Sequence, residues 1–229
     1  CDIAIVNLED GVYDKKKARQ LVYDILPKLE KTKCKIVVRI NDLNTCGIED
    51  IKMINKIKPY AIRVPKIKTI EDVKLACDLI DDGIEVHLSI ETKEAFKNLS
   101  KLKLNNNVTT VYLGILDLLQ SLNLSQDILK LDNPMIDYIL SKFLIDSKIA
   151  NFIPISFVYQ DYKNIDEFTK WCKKDKLLGF SAKGCISLGQ VDIVNDIFKV
   201  DNDLLIKAKD IIKLFEENKN KSCTGFSHE

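Results

Sequence analysis

Short apolar runs rich in β-branched residues alternate along this chain with longer segments whose apolar residues recur at helical spacing. That alternation is the signature of βα units on a parallel sheet. Seven such runs occur, at 3–8, 35–40, 61–65, 85–90, 109–113, 152–158 and 179–186. The segments between them carry apolar stripes, such as Ala18, Leu21, Val22, Ile25 and Leu29 in the first and Leu204, Ala208, Ile211 and Phe215 in the last. Most runs start about 25–35 residues apart, the length of a βα unit. The widest gap, from Leu113 to Phe152, has room for two helical pieces, and Asn133-Pro134 marks the start of the second. No Gly/Ser-rich linker interrupts the 229 residues, and 46% of them are hydrophobic, so one domain spanning 1–229 with a sizeable core is expected.

A parallel βα chain closes as a barrel or stays open as a doubly wound sheet. Polar residues cluster where the runs end: Glu9-Asp10, Arg39 with Asn41, Lys66, Glu91-Thr92, and Asp117. A barrel gathers all strand ends around one mouth, whereas an open sheet spreads them along a line. The glycine-rich phosphate loops typical of open sheets are absent. The expectation is therefore a (β/α)8 barrel of the TIM type.

Composition removes several functions. Lys+Arg 35 against Asp+Glu 34 provides no overall field for nucleic acid or an anionic membrane surface. Seven cysteines without a Cys-x-x-Cys pair, and only two histidines, argue against zinc and for a reduced, cytoplasmic protein. No apolar run approaches the roughly 20 residues that span a bilayer.

Glu91 and Asp117 follow adjacent strand-like runs, which in a barrel lie about 4.8 Å apart. Two carboxylates that close repel, and a hard cation such as Mg²⁺, which takes one or two carboxylates plus water and substrate oxygens, relieves the repulsion. The plainer alternative is that each is a helix-capping or first-turn acid. Glu9 and Asp10 pose the same choice. Arg39, inside an apolar run, needs an anion, either one of these acids or a substrate carboxylate held bidentately. Lys66 is a second cation of this kind. His87, mid-strand, reads as a satisfied interior residue rather than a base.

These motifs, in their order, resemble the citrate lyase beta-subunit and malyl-CoA lyase family of metal-dependent acyl-thioester lyases. The matching pieces are Asn7-Leu8-Glu9-Asp10-Gly11-Val12 with Lys17-Ala18-Arg19, Val38-Arg39-Ile40-Asn41 and Val64-Pro65-Lys66. They continue with Ile90-Glu91-Thr92, Leu113-Gly114-Ile115-Leu116-Asp117-Leu118 and Gly179-Phe180-Ser181-Ala182-Lys183 through Gln190. The resemblance implies Mg²⁺ (or Mn²⁺) held by Glu91 and Asp117, and a catalytic set of Arg39, Glu9 and Asp10. Substrate would be bound by Arg39, Lys66 and the backbone of Gly114, Ile115 and Leu116. It implies a homotrimer or hexamer that cleaves a citryl- or malyl-type thioester of CoA or a carrier protein to an acetyl thioester and an oxo acid.

The chain departs from the family at Asn7 and Ser156, both usually aspartate, at Ser187-Leu188, usually His-Pro, and at Ala182, usually glycine. An arginine expected near Lys142 is also missing. Two other functions are compatible with these changes: an aldolase for free hydroxy-oxo acids, and a catalytically weakened metabolite-binding barrel. The family's first strand would precede Cys1 and its C-terminal lid would follow Glu229, so the sequence reads as part of a longer protein.

Overall fold

The computed structural model describes residues 1–9, 13–29 and 33–219. Six strands form one parallel sheet in sequential order: β1 (Ile3–Asn7), β2 (Lys35–Arg39), β3 (Ala61–Val64), β4 (Glu85–Ile90), β5 (Val108–Leu113) and β6 (Ile153–Ile155). Between and after them lie α1 (Lys15–Leu29), α2 (Gly47–Ile54), α3 (Ile70–Leu79), α4 (Lys93–Lys97), α5 (Ile115–Ser121), α6 (Pro134–Ile149), α7 (Ile165–Leu178), α8 (Leu188–Phe198) and α9 (Asn202–Lys219). The wide gap after β5 holds α5 and α6 with a short 3-10 turn between them, and Asn133 caps α6 ahead of Pro134. No described helix is long and apolar enough to cross a membrane.

Strand residues alternate between two faces with the period of two that β-structure imposes. Ile36, Val38, Ile62, Val64, Val86, Leu88, Ile90, Val111 and Leu113 pack with helical Ile51, Ala76, Leu118 and Phe143 into one apolar core. The opposite face carries Arg39, Arg63, His87, Ser89 and Tyr112, which contact one another. The sheet curls around this second face. Asp2 and Ile3 at one end of the sheet and Ile153 at the other line the same cavity of about 330 Å³, with Lys35, Tyr60 and Thr110 between them. That cavity lies at the N-terminal ends of the strands, away from Glu91 and Asp117.

The described residues thus form a curled six-stranded half-barrel, and β1 and β6 are not paired with each other. The run at 179–186 yields a single parallel bridge between Ser156 and Lys183 instead of a seventh strand. Its first residues are used elsewhere: Gly179, at φ 105°, ends α7, and the N–H groups of Gly179 and Phe180 both bond to Asp175 O. The run at 152–158 shortens to β6: at its start the Phe152 N–H bonds back to Ser147 at the end of α6, and past Ile155 the Ser156 N–H bonds to Ala182 O.

Candidate active site

The C-terminal ends of β3, β4 and β5 bring three predicted residues together. Glu91, directly after β4, is 3% exposed, and its Oε1 accepts the main-chain N–H of Lys66 at 2.7 Å. Lys66 Nζ donates to Asp117 Oδ2 at 2.6 Å and stands 3.8 Å from Glu91 Oε1. Burial works against the Lys66 ammonium, but the hydrogen bond to Asp117 and the charges of Glu91 and Asp117 outweigh it and raise its pKa above the ordinary lysine value.

The capping alternative does not account for Glu91. The side chain that caps α4 is Thr92, whose Oγ1 accepts the Ala95 N–H and donates to Ile67 O. Asp117 does lie in the first turn of α5, where the helix dipole favours an acid, and its carboxylate reaches across to Lys66. Gly114 follows from Glu91: a Cβ at that position would stand 2.7 Å from both Cβ and Oε2 of the glutamate. The Gly114 N–H bonds to Ile90 O in β4. This corrects the expectation that the Gly114 N–H is open to an anion; Ile115, Leu116 and Asp117 are the first three residues of α5, whose N–H groups lack an intrahelical acceptor.

The residues fit a divalent cation of the magnesium type. Two carboxylates meet at one ammonium, and among the described residues Glu91 Oε2 neither makes a hydrogen bond nor is sealed from open space. Among the described residues no group of three or more His, Cys, Asp or Glu side chains forms a metal cage. Mg²⁺ characteristically takes one or two carboxylates and completes its shell with water and substrate oxygens.

Arg39 sits at the neighbouring strand end. Its Nε donates to Asn7 Oδ1 at 2.8 Å and lies 3.1 Å from Glu9 Oε2. Asn7 Oδ1 also accepts the Glu9 N–H, which ties the turn after β1 to the guanidinium. Asp10 lies outside the described residues. Arg19 and Asn41, two further motif residues, are explained by the fully buried Asp50, which accepts from Arg19 Nε at 2.5 Å and from Asn41 N and Nδ2 at 2.8 and 2.6 Å. His87 is buried as expected, within 3.2 Å of Tyr112 OH and of Glu85 Oε2.

Two features were missed by sequence reasoning. Arg63 of β3 faces the concave side in register with Arg39; its Nε donates to Ser89 Oγ at 2.8 Å and its guanidinium lies 4.1 Å over the Tyr112 ring. Its burial inside an apolar run carried the same signal that singled out Arg39. Burial, with a smaller contribution from Arg39, lowers its pKa to about 10, while Glu91 and Glu9 act in the other direction. The second feature is a buried ion pair between Asp175 and Lys183 at 2.6 Å, with Ser156 Oγ donating to the same Asp175 oxygen at 2.6 Å. Asp175 continues the apolar face of α7 set by Phe168, Trp171 and Cys172, an unusual place for an acid.

Residues 1–187 match the HpcH/HpaI aldolase/citrate lyase family. The (3S)-malyl-CoA thioesterase of Cereibacter sphaeroides is 26% identical over 219 residues, which cover 94% of this chain and 75% of the relative. Citrate lyase subunit beta of Leuconostoc mesenteroides subsp. cremoris is 24% identical over 232 residues, covering 96% and 76%. The solved citrate lyase beta subunit from M. tuberculosis, complexed with oxaloacetate and magnesium, shares the fold with a TM-score of 0.74 at 20% identity, covering 87% of each chain. This chain belongs to the HpcH/HpaI aldolase/citrate lyase family.

Proposed function

We propose that the protein is a Mg²⁺-dependent carbon–carbon lyase that cleaves a citryl- or malyl-type acyl thioester, of CoA or a carrier protein, to an acetyl thioester and an oxo acid. The observation that carries this reading is the convergence of Glu91 and Asp117 on a single cation, Lys66 Nζ, at the C-terminal mouth of the sheet. Relatives named citrate lyase subunit beta and citramalyl-CoA lyase support the reaction class. The magnesium and oxaloacetate of the M. tuberculosis complex support the cofactor and one product class.

Glu91 and Asp117 would hold the ion, with Mn²⁺ as a substitute. Bound there, it would supply Lewis-acid chemistry, drawing charge from a substrate hydroxyl or oxo oxygen. Arg39, fixed by Asn7 and Glu9, would face the charge that shifts between oxo oxygen and thioester enolate. The N–H groups of Ile115, Leu116 and Asp117 would hold a carboxylate at the start of α5. In the cleavage, the bond between the carbinol carbon and the carbon α to the thioester breaks. The hydroxyl proton leaves, and the electron pair becomes the enolate, which takes up a proton to give the acetyl thioester. Glu9, Asp10 and Lys66 would tune the site's charge.

A cytoplasmic homotrimer or hexamer is the setting we infer. A second reading, hydrolysis of the thioester, is favoured by the relative named (3S)-malyl-CoA thioesterase. One assay separates the two. Malyl-CoA and citryl-CoA are each incubated with the protein and Mg²⁺, with EDTA as control. Acetyl-CoA plus oxo acid supports cleavage, free CoA plus the hydroxy acid supports hydrolysis, and turnover of free 4-hydroxy-2-oxo acids alone would favour an aldolase. No metal-dependent product from any of them would refute the proposal.

A further inference from the structure

Arg63 is a charged group of the concave face that the cleavage chemistry above leaves unused. It is 8% exposed, yet among the described residues its only hydrogen bond is the one from Nε to Ser89. Neither terminal nitrogen has a hydrogen-bond or ion-pair partner among the described residues. Neither is sealed in the protein interior either, since the buried side-chain atoms without a hydrogen bond among the described residues are Asp137 Oδ1, which is ion-paired with Lys174, Trp171 Nε1 and Asp175 Oδ1. The two Nη groups therefore open onto the concave side of the sheet.

Their position along the strands is informative. Ser89 and Tyr112, which hold the guanidinium from beside and beneath, precede Glu91 and Gly114 by two residues each, one inward-facing layer below the carboxylates. Arg39 is the register partner of Arg63 on β2. Two guanidiniums on neighbouring strands repel, and a mostly buried cation with unfilled donors is costly unless an anion meets it. Arg39 already contacts Glu9, whereas no acid lies within ion-pair distance of Arg63 among the described residues.

We propose that Arg63 is a specificity-determining residue that binds a second substrate carboxylate, so that the site selects dicarboxylic over monocarboxylic oxo and hydroxy acids. The inference rests on the oxo-acid site proposed above and narrows it to citryl-type thioesters, whose oxo acid carries two carboxylates where that of a malyl thioester carries one. The head of the acid, its carboxylate with the adjacent oxygen, lies at Glu91 and Asp117. The distal carboxylate reaches down to the planar fork of Arg63, which matches it bidentately.

The test is calorimetric binding of lactate and malate, which differ by one distal carboxylate, to the parent, R63M and R63K in Mg²⁺. The parent is expected to bind malate at least about tenfold more tightly than lactate, the worth of one charge-assisted contact. R63M should erase that preference while leaving lactate within about twofold. R63K, which keeps the cation but not the fork, should retain part of it. Thermal unfolding of both variants should match the parent, because the guanidinium lost in R63M leaves no acid unpaired. A parent that binds both acids equally, or variants that lose both in parallel, would overturn the role of Arg63 and leave the lyase reading standing. A parent that binds neither acid in Mg²⁺ would overturn both.

Discussion

The main-chain N–H of Lys66 donates to Glu91 Oε1 while its side chain reaches Asp117, so one residue clamps both carboxylates from its two ends. To do this it adopts φ 54°, the left-handed region, which costs a residue with a Cβ about 1–2 kcal/mol. Strain of this kind persists where the surroundings fix it, and here both carboxylates do.

An ammonium between two carboxylates competes with a divalent ion for them. Lys66→Met should therefore tighten Mg²⁺ binding by a few-fold, roughly the ~1 kcal/mol of a partly exposed ion pair, while weakening oxo-acid binding. Calorimetry with Mg²⁺ alone, then with acid added, reads the two effects separately. Weaker Mg²⁺ binding in the variant would mean that the lysine supports the ion.

Gly114 leaves no room for a side chain against Glu91. Gly114→Ala should push the glutamate aside, costing about 1–3 kcal/mol of stability and weakening Mg²⁺ binding by an order of magnitude or more. Thermal unfolding and metal titration of the alanine variant check this. Unchanged metal affinity would show that Glu91 can move without consequence.

His87 makes stability depend on pH. Burial is the main cause of its pKa falling to about 4 from an ordinary 6.5, with Arg63 and Lys35 adding to the fall and Glu85 opposing it. Between those values the unfolded chain takes up a proton that the folded one does not. The contribution is thus complete above pH 6.5 and is lost as pH falls towards 4, by up to roughly 3 kcal/mol. Glu85 is also shifted: burial raises its pKa, but hydrogen bonds from Thr109, Tyr60 and His87 lower it further, so its contribution is lost at more acidic pH. His87→Gln should flatten the slope of denaturant stability between pH 4 and 6.5. A variant with the parent's slope would assign the acid sensitivity to other groups.

Ser156 stands where a carboxylate would meet Asp175, which already shares the buried Lys183. Ser156→Asp should destabilise the protein by about 2–4 kcal/mol, because one ammonium cannot offset two buried acids. A parent-like unfolding temperature would show that Lys183 accommodates both.

Much of the sheet was legible because each run alternates or stays apolar over at least five residues. The run after α7 failed because Gly179 and Phe180 are used to end that helix, a competition that hydrophobicity alone does not reveal. Glu91 could be separated from a capping role only once Thr92 was seen to bond Ala95. Arg63 was legible and passed over, since the argument from buried charge applied to Arg39 holds equally for it. Asp175 carried a signal of its own, an acid on an apolar helix face, but its partner Lys183 is eight residues away, past the end of α7, and is brought back by the bridge to Ser156.

The joint hold of Glu91 and Asp117 on a divalent ion is tested most directly by titrating Mg²⁺ into the parent, Glu91→Ala and Asp117→Ala, each checked for intact folding. The account predicts saturable binding by the parent that Glu91→Ala abolishes and Asp117→Ala weakens strongly. A folded Glu91→Ala protein that binds Mg²⁺ as tightly as the parent would contradict it.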